Sequence, residues 1–414
     1  MSAPHLRQVL AAAAVGAGLT LRDGPAGAIT AAEARATAAE WGLRGADDAA
    51  DPDGVVVVLV DGLGLCQLQE RRGHAPTLRA WLADAASAPG GGSAHTCVPS
   101  TTAAALTTLG TGALPGATGM VGYCVLNPRL GRDLPADTTP DATQNLCLIT
   151  WEGRAPDPRR WQDVPTIFER ISSPPDAAAD QTPPAVTIGP ARFAGSGLTE
   201  AALRGAHHLG ADRMEDRPGL AADALRRGVP LVYLYVGELD HAGHRHGWRS
   251  KHWLEQLERL DAAMAELLRR VPAGTRVLLT ADHGMVDTDP AHRIDLTEYP
   301  ELARDVVAVA GEPRFSQLYV PHSDPEAAAA VAARWREVLG ERVLWVGTRA
   351  QAAARIGPIG ARADSVLGDV LVAMADNWVV VDPRVHSAGA IAMPGVHGSL
   401  TDAEMTVPLL AARA

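Results

Sequence analysis

Carboxylates and imidazoles stand in this chain where apolar runs end. Asp240 and His244, in Asp240-His-Ala-Gly-His244, are four residues apart, close enough to grip one cation on a tight turn. Asp282 and His283 are adjacent, directly after Arg276-Val-Leu-Leu-Thr-Ala281, and Asp61 directly follows the run Gly54 to Val60. His397 sits between glycines in Pro394-Gly-Val-His-Gly398, a stretch with little side-chain bulk. Carboxylate and imidazole are suitable ligands for zinc and similar divalent ions. Singly each is commonplace, because an Asp after a strand usually turns the chain or caps a helix. A hydroxyl cluster, Ser100-Thr101-Thr102, follows Pro99 and opens an apolar stretch to Gly110. Such a cluster ordinarily caps a helix. The same geometry puts a hydroxyl in the positive field of free N–H groups, which suits a bound phosphate and an ionised nucleophile. A coordinated metal would lower the hydroxyl pKa further.

The elements that must position these residues follow from the apolar patterning. Gly54–Val60, Val229–Gly237 and Arg276–Ala281 are continuous β-branched or aliphatic runs, the pattern of strands buried on both faces in a parallel sheet. Each leads to an acid: Asp61, Asp240 or Asp282. A shorter run, Ala185–Gly189, has none. Residues 76–86, 201–227 and 250–271 carry apolar positions at three- and four-residue spacing and predict helices between the strands. Alternating strands and helices predict an α/β fold: a doubly wound, mostly parallel sheet flanked by helices, with ligands bound beyond the carboxyl ends of the strands. Gly- and Pro-rich stretches at 88–93, 173–184 and 287–300 read as loops. Residues 304–382 differ in character, with short β-like runs at 315–320, 342–346, 366–373 and 377–382 around one helix near 325–339, and a hairpin turn at Ala375-Asp376-Asn377. They read as a small α+β cap inserted into a core made of residues 1–303 and 383–414.

The 414 residues, 47% of them apolar, suffice for a large core, and the net charge of −11 brings no basic run. Nucleic acid as a bulk partner is therefore not expected, since phosphate backbones call for clustered Lys and Arg. A small phosphate ester needs no such patch where a metal supplies the charge. Cys66, Cys97, Cys124 and Cys147 show no CxxC spacing, and read as reduced thiols in a cytoplasmic protein. The apolar patch Val9–Leu19 is too short to span a bilayer and predicts an amphipathic helix. No membrane partner is expected, and oligomeric state is left open.

Taken in order, Asp61 after a strand, Pro99-x-x-Thr102, Asp240-x-x-x-His244, Asp282-His283 and Gly395-x-His397-Gly398 resemble the alkaline phosphatase superfamily, in particular its nucleotide pyrophosphatase/phosphodiesterase branch. The resemblance spans residues 55 to 398. It implies two divalent metals, zinc or in some relatives manganese. Asp240, His244 and His397 would hold one. Asp61, Asp282 and His283 would hold the other, with Thr102 as fourth ligand and nucleophile, because Thr102 rather than Ser100 or Thr101 fills the last place of Pro-x-x-Thr. It further implies in-line attack by Thr102 on phosphorus, a phosphothreonine intermediate and its hydrolysis by water. One departure concerns phosphate recognition. Where phosphodiesterase relatives carry an asparagine after the nucleophile helix, this chain has Tyr123, with Asn127 nearby but displaced; both are candidate substrate-binding residues.

Competing readings are a phosphomonoesterase or phosphonate hydrolase on the same metals, a phosphotransferase or mutase, and a non-catalytic metal-binding domain, the last disfavoured by the complete ligand set. Cys97-Val-Pro99 begins a sulfatase-like signature but has Thr101 where that signature needs arginine. His241 and His246 read as surface residues, His207-His208 as a solvated helix end, and the tryptophans as core. Arg314 and His386 are minor candidates to reach the site from the cap.

Overall fold

The computed structural model describes residues 3–43, 54–85, 91–152, 156–172 and 182–414. Residues 173–181 of the predicted loop at 173–184, and part of that at 88–93, lie outside the described residues. A seven-stranded sheet forms the centre. Its strands in chain order are β1 (Val55–Val60), β2 (Ser93–His95), β3 (Ala185–Gly189), β4 (His207–Gly210), β5 (Leu231–Val236), β6 (Arg276–Thr280) and β7 (Thr406–Arg413). Across the sheet they run β2-β7-β6-β1-β5-β3-β4. β6, β1, β5, β3 and β4 are parallel, whereas β7 is antiparallel to β6. β1 is buried along its whole length, as its unbroken valine run requires.

The parallel register decides where chemistry can occur. Leu59 pairs with Thr280 and Val60 with Val236. One residue further on, Asp61 leaves β1 beside the exits of β5 and β6, so the acids after these three strands emerge at one edge. β7 enters the sheet from this same edge, which brings the preceding segment 395–405 over it.

Two helical expectations change. The N-terminal helix, Leu6–Gly16, is buried along nearly its whole length rather than one-sided. Its alanines let it pack tightly between the helices Ala31–Glu40 and Thr102–Thr111. The predicted helix 201–227 is broken in three: a helix ending at Ala202, strand β4, and a helix Arg217–Arg226. His207 and His208 therefore lie on an edge strand. Its polar, half-exposed residues hide the strand from a hydrophobicity pattern.

The cap contains a four-stranded antiparallel sheet, Ala308–Glu312, Phe315–Tyr319, Val370–Met374 and Val343–Thr348 in spatial order, covered by the helix Pro325–Leu339. Asp376 turns the chain with φ 41°, but no hairpin follows. Val379–Val381 instead pairs in parallel with Arg293–Asp295, a short strand within the stretch expected to be loop. Ile294, Leu296 and Leu302 pack with Leu318, Val331 and Trp335, so cap packing reaches back to residue 294.

Arg314 does not reach the metal-ligand cluster. Its guanidinium makes a bidentate ion pair with Glu404, both fully buried, with Nε–Oε1 at 3.0 Å and Nη2–Oε2 at 2.6 Å. Glu404 also accepts from the Ser399 N–H at 2.9 Å, which ties the cap to the segment carrying His397. Removing one partner of such a pair strands a buried charge. Arg314→Met should lower unfolding stability by about 3–5 kcal/mol in urea denaturation. Arg314→Met/Glu404→Leu should recover part of that loss, and a cost below ~1 kcal/mol for the single variant would refute this account. His386 likewise serves structure, its Nδ1 accepting from the Asp382 N–H at 3.0 Å.

Candidate metal centre

Three loops and two helices assemble the cluster. Asp61 directly follows β1 and is buried. The next residue, Gly62, has φ 74°, and a Cβ there would fall 3.0 Å from Asp240 Cα, so only glycine permits this turn beside the second acid. Asp240 and His244 lie on the helix Glu238–His246 that follows β5. Their Oδ1 and Nε2 atoms are 3.3 Å apart. Asp282 and His283, fully buried, follow β6. His283 Nε2 stands 3.4 Å from both Asp61 Oδ1 and Asp282 Oδ2. His397 comes in on the segment before β7, its Nε2 3.3 Å from His244 Nε2 and 3.9 Å from Asp240 Oδ1. Its ring stacks on His283 at 3.6 Å. The structure thus brings together all six expected acids and imidazoles. By mutual distance five of them form two overlapping groups, Asp240/His244/His397 and Asp61/Asp240/His283, while Asp282 falls in neither and approaches the second through His283. Asp240 belongs to both.

Each imidazole is fixed by a main-chain carbonyl. Nδ1 of His244 meets Gly395 O at 2.8 Å, Nδ1 of His283 meets Gly284 O at 3.0 Å and Nδ1 of His397 meets Ser100 O at 3.0 Å. A carbonyl only accepts, so each Nδ1 carries the proton and each Nε2 presents a lone pair. The Nε2 atoms of His244 and His397 therefore face each other with no proton between them. The carboxylates show the same deficit. Asp61 Oδ1, Asp240 Oδ1 and Asp282 Oδ2 are buried without any hydrogen-bond partner. Burial, with Asp282 and Asp240 alongside, drives the Asp61 carboxyl well above the usual carboxylate range, and burial raises Asp282 as well. Burial beside His283 and His244 holds His397 well below the usual imidazole value. Lone pairs converging where charge is disfavoured and protons are missing are what divalent cations neutralise, so these residues fit such ions.

The hydroxyl cluster sorts itself by burial. Ser100 is buried and its Oγ donates to Ser399 O at 2.7 Å. Thr101 is buried as well. Thr102 is half-buried and is the first residue of the helix Thr102–Thr111. Its Oγ1 donates to His283 Nε2 at 3.1 Å, at the edge of the cluster. Thr101 makes no side-chain cap, so the capping reading fails and the first-turn N–H groups of this ten-residue helix stay available to an anion.

Comparison with known proteins agrees with this geometry. The model of one protein family, type I phosphodiesterase / nucleotide pyrophosphatase, matches residues 55–400. The chain belongs to that family. It is therefore a metal-dependent hydrolase of phosphoric esters within the alkaline phosphatase superfamily. Among solved structures, phosphonoacetate hydrolase from Sinorhizobium meliloti 1021, in complex with phosphonoformate, superposes with a TM-score of 0.63 at 19% identity, covering 87% of this chain and 90% of that one. Murine ectonucleotide pyrophosphatase / phosphodiesterase 5 superposes with a TM-score of 0.59 at 16% identity, covering 86% and 87%. An inactive threonine-to-alanine form of the murine protein, in complex with AMP, gives 0.59 at 15%, with the same coverage. These likenesses support the alkaline phosphatase-like fold. No curated protein matches significantly.

In this family member the cluster opens into a cavity of about 490 Å³. Leu106, Ile149, Ile188, Phe193, Leu198 and Leu203 make its walls largely apolar, and among the described residues Arg192 is the one Lys or Arg that lines it. Tyr123 lines the cavity and is 43% exposed. Asn127 is not brought there; its Oδ1 accepts from the Arg129 N–H at 3.1 Å and closes a local turn. None of the tryptophans lines the cavity. His241 and His246 are exposed on a neighbouring hollow. Sequence reasoning missed Tyr235, whose hydroxyl donates to Asp61 Oδ2 at 2.6 Å and leaves Oδ1 facing the cluster. The signal was present, since Tyr235 stands two residues before the end of a run already read as a strand. Among the described residues, no helix is long and apolar enough to cross a membrane.

Proposed function

We propose that this chain is a phosphodiesterase or nucleotide pyrophosphatase that works through a phosphothreonine at Thr102, with two divalent cations, zinc or manganese. The observation carrying the proposal is the convergence of three proton-free Nε2 atoms and three partnerless carboxylate oxygens next to the Thr102 hydroxyl. Asp240, His244 and His397 would hold one ion, and Asp61, Asp282 and His283, with Thr102, the other. Asp240, common to both distance groups, sits where the two sites meet. Bound ions supply positive charge that lowers the pKa of the hydroxyl and offsets charge on the reacting phosphate.

The protein's own part is positioning. Tyr235 holds Asp61, the carbonyls of Gly395, Gly284 and Ser100 aim the imidazoles, and the first-turn amides receive a phosphate oxygen. Thr102 Oγ1 bonds to phosphorus as the ester oxygen opposite leaves, and water then cleaves the phosphothreonine. The inactive threonine-to-alanine murine relative with AMP supports a threonine in this role. The cytoplasmic expectation rests on the four reduced thiols.

The cavity walls favour a diester. A monoester dianion presents more unesterified charge than a diester monoanion, and among the described residues the cavity offers Arg192 alone of the arginines and lysines. The second organic group of a diester gains by burial on the apolar walls. With metal restored, kcat/KM for bis-p-nitrophenyl phosphate should exceed that for p-nitrophenyl phosphate by ~10-fold or more, an apolar contact of at least ~1.4 kcal/mol. Chelation should abolish both activities. The reverse preference would move the reading to a phosphomonoesterase, and an acceptor-dependent product to a phosphotransferase.

A further inference from the structure

Cys124 and Cys147 face each other across a short antiparallel ladder, Cys124–Leu126 with Asn145–Cys147. The backbone bonds flanking this ladder join Leu148 N–H to Tyr123 O at 2.8 Å and Asn127 N–H to Gln144 O at 2.7 Å. Tyr123/Leu148 and Asn127/Gln144 are therefore hydrogen-bonded pairs. By alternation Cys124/Cys147 is a non-hydrogen-bonded pair, the class in which Cα atoms lie only about 4.5 Å apart and side chains are closest. That spacing falls at the near end of the range a disulfide accepts. The intervening Val125 and Leu146 point into a buried cluster with Met120 and Phe315. Both cysteines are half-buried rather than sealed. We infer that Cys124 and Cys147 form a redox modification site, a dithiol that closes to a reversible disulfide next to residues that line the cavity.

The surroundings make Cys147 the attacking sulfur. The Cys124 thiol donates to it, and the Thr150 hydroxyl with the amides of Thr150 and Ile149 adds to the effect, so Cys147 is held well below the ordinary thiol range. The other two cysteines differ. Cys97 is fully buried and pushed up to about 12, and Cys66 is exposed with no cysteine opposite it. With a small disulfide as oxidant the exchange balances. The Cys147 thiolate attacks one oxidant sulfur and expels the first small thiolate. Cys124, losing its proton to solvent, attacks the Cys147 sulfur and expels the second. The protein gains one S–S bond and the oxidant is reduced to two thiols. Transient disulfides of this kind are the ones found in reducing compartments.

Closure would be felt in the cavity, because Tyr123, Ile149 and Thr150 line it and adjoin the two cysteines. A disulfide takes the Cys147 sulfur away from the Ile149–Thr150 turn and fixes the strand next to Tyr123. The test treats the native protein with glutathione disulfide, quenches with acid, alkylates under denaturing conditions and maps the peptides by mass spectrometry. The expected result is alkylated Cys66 and Cys97 together with a peptide linking residues 124 and 147, released by dithiothreitol. Cys124→Ser and Cys147→Ser should each abolish the link. Equal alkylation of all four cysteines, or a link to Cys66, overturns the site. KM for bis-p-nitrophenyl phosphate should shift severalfold on closure and return on reduction. A closed link with KM unchanged overturns the coupling to the cavity. Peptide mapping needs no turnover, so it stands apart from the reading of the activity.

Discussion

Thr102→Ala should reduce diester turnover by at least ~10³-fold while leaving the fold and the bound metal largely intact, because a nucleophile is removed and little else. Thr102 begins a helix, where alanine is the stronger helix former, so stability should not suffer. Its hydroxyl makes one protein contact, to His283. Thr102 alone of the three hydroxyls is hydrogen-bonded to the ligand cluster. Ser100 is fully buried and engaged with Ser399, and Thr101 is 1% exposed. Steady-state hydrolysis of bis-p-nitrophenyl phosphate, circular dichroism and elemental analysis of the same preparation would decide the matter. Near-full activity would remove Thr102 from the mechanism. Normal activity loss with the metal also gone would make it chiefly a ligand.

Asp240→Ala should be the most damaging change to metal content. Asp240 Oδ1 lies 3.3 Å from His244 Nε2 and 3.9 Å from His397 Nε2, and Asp240 is also the member shared with the Asp61/His283 group. Its loss leaves the first ion two of its three side chains and removes a carboxylate from beside the second. Affinity should fall for both ions by more than the ~10–100-fold typical of losing an outer-shell partner, and turnover by on the order of 10³-fold or more. Asp282→Ala, at one end of the cluster, should release one ion and retain the other. Elemental analysis after equilibration in limiting zinc separates these outcomes. Equal metal loss in the two variants would contradict the shared position of Asp240.

Much of this was legible beforehand because a parallel sheet writes its core as uninterrupted aliphatic runs. Val55–Val60, Leu231–Val236 and Arg276–Thr280 could be recognised, and the acid after each followed from where such sheets bind ligands. β4 was not, since an edge strand reading His-His-Leu-Gly has no apolar signature. The strand Ala308–Glu312 escaped for a related reason, its small residues and Gly311 resembling a loop. At the site, the side chains that offer lone pairs could be named by type and spacing. What holds them could not, because Gly395, Gly284 and Ser100 act through main-chain oxygens, and any residue type has one. Asn127 shows the converse, a suitable side chain whose own turn uses it locally.

The close approach at Gly395 shows what that main-chain support implies. A Cβ there would lie 2.2 Å from Gly243 O, so the segment carrying His397 rests directly on the helix carrying His244, backbone against backbone. An orienting group made of peptide bond is not lost by exchanging its own side chain, provided the chain path is kept. Substitutions in the surrounding walls can therefore accumulate without detuning the imidazoles. Such a centre is suited to natural drift and laboratory selection alike. Libraries randomised at Leu106, Ile149, Ile188 and Leu198 should yield altered leaving-group preferences at high frequency, with the catalytic frame inherited unchanged.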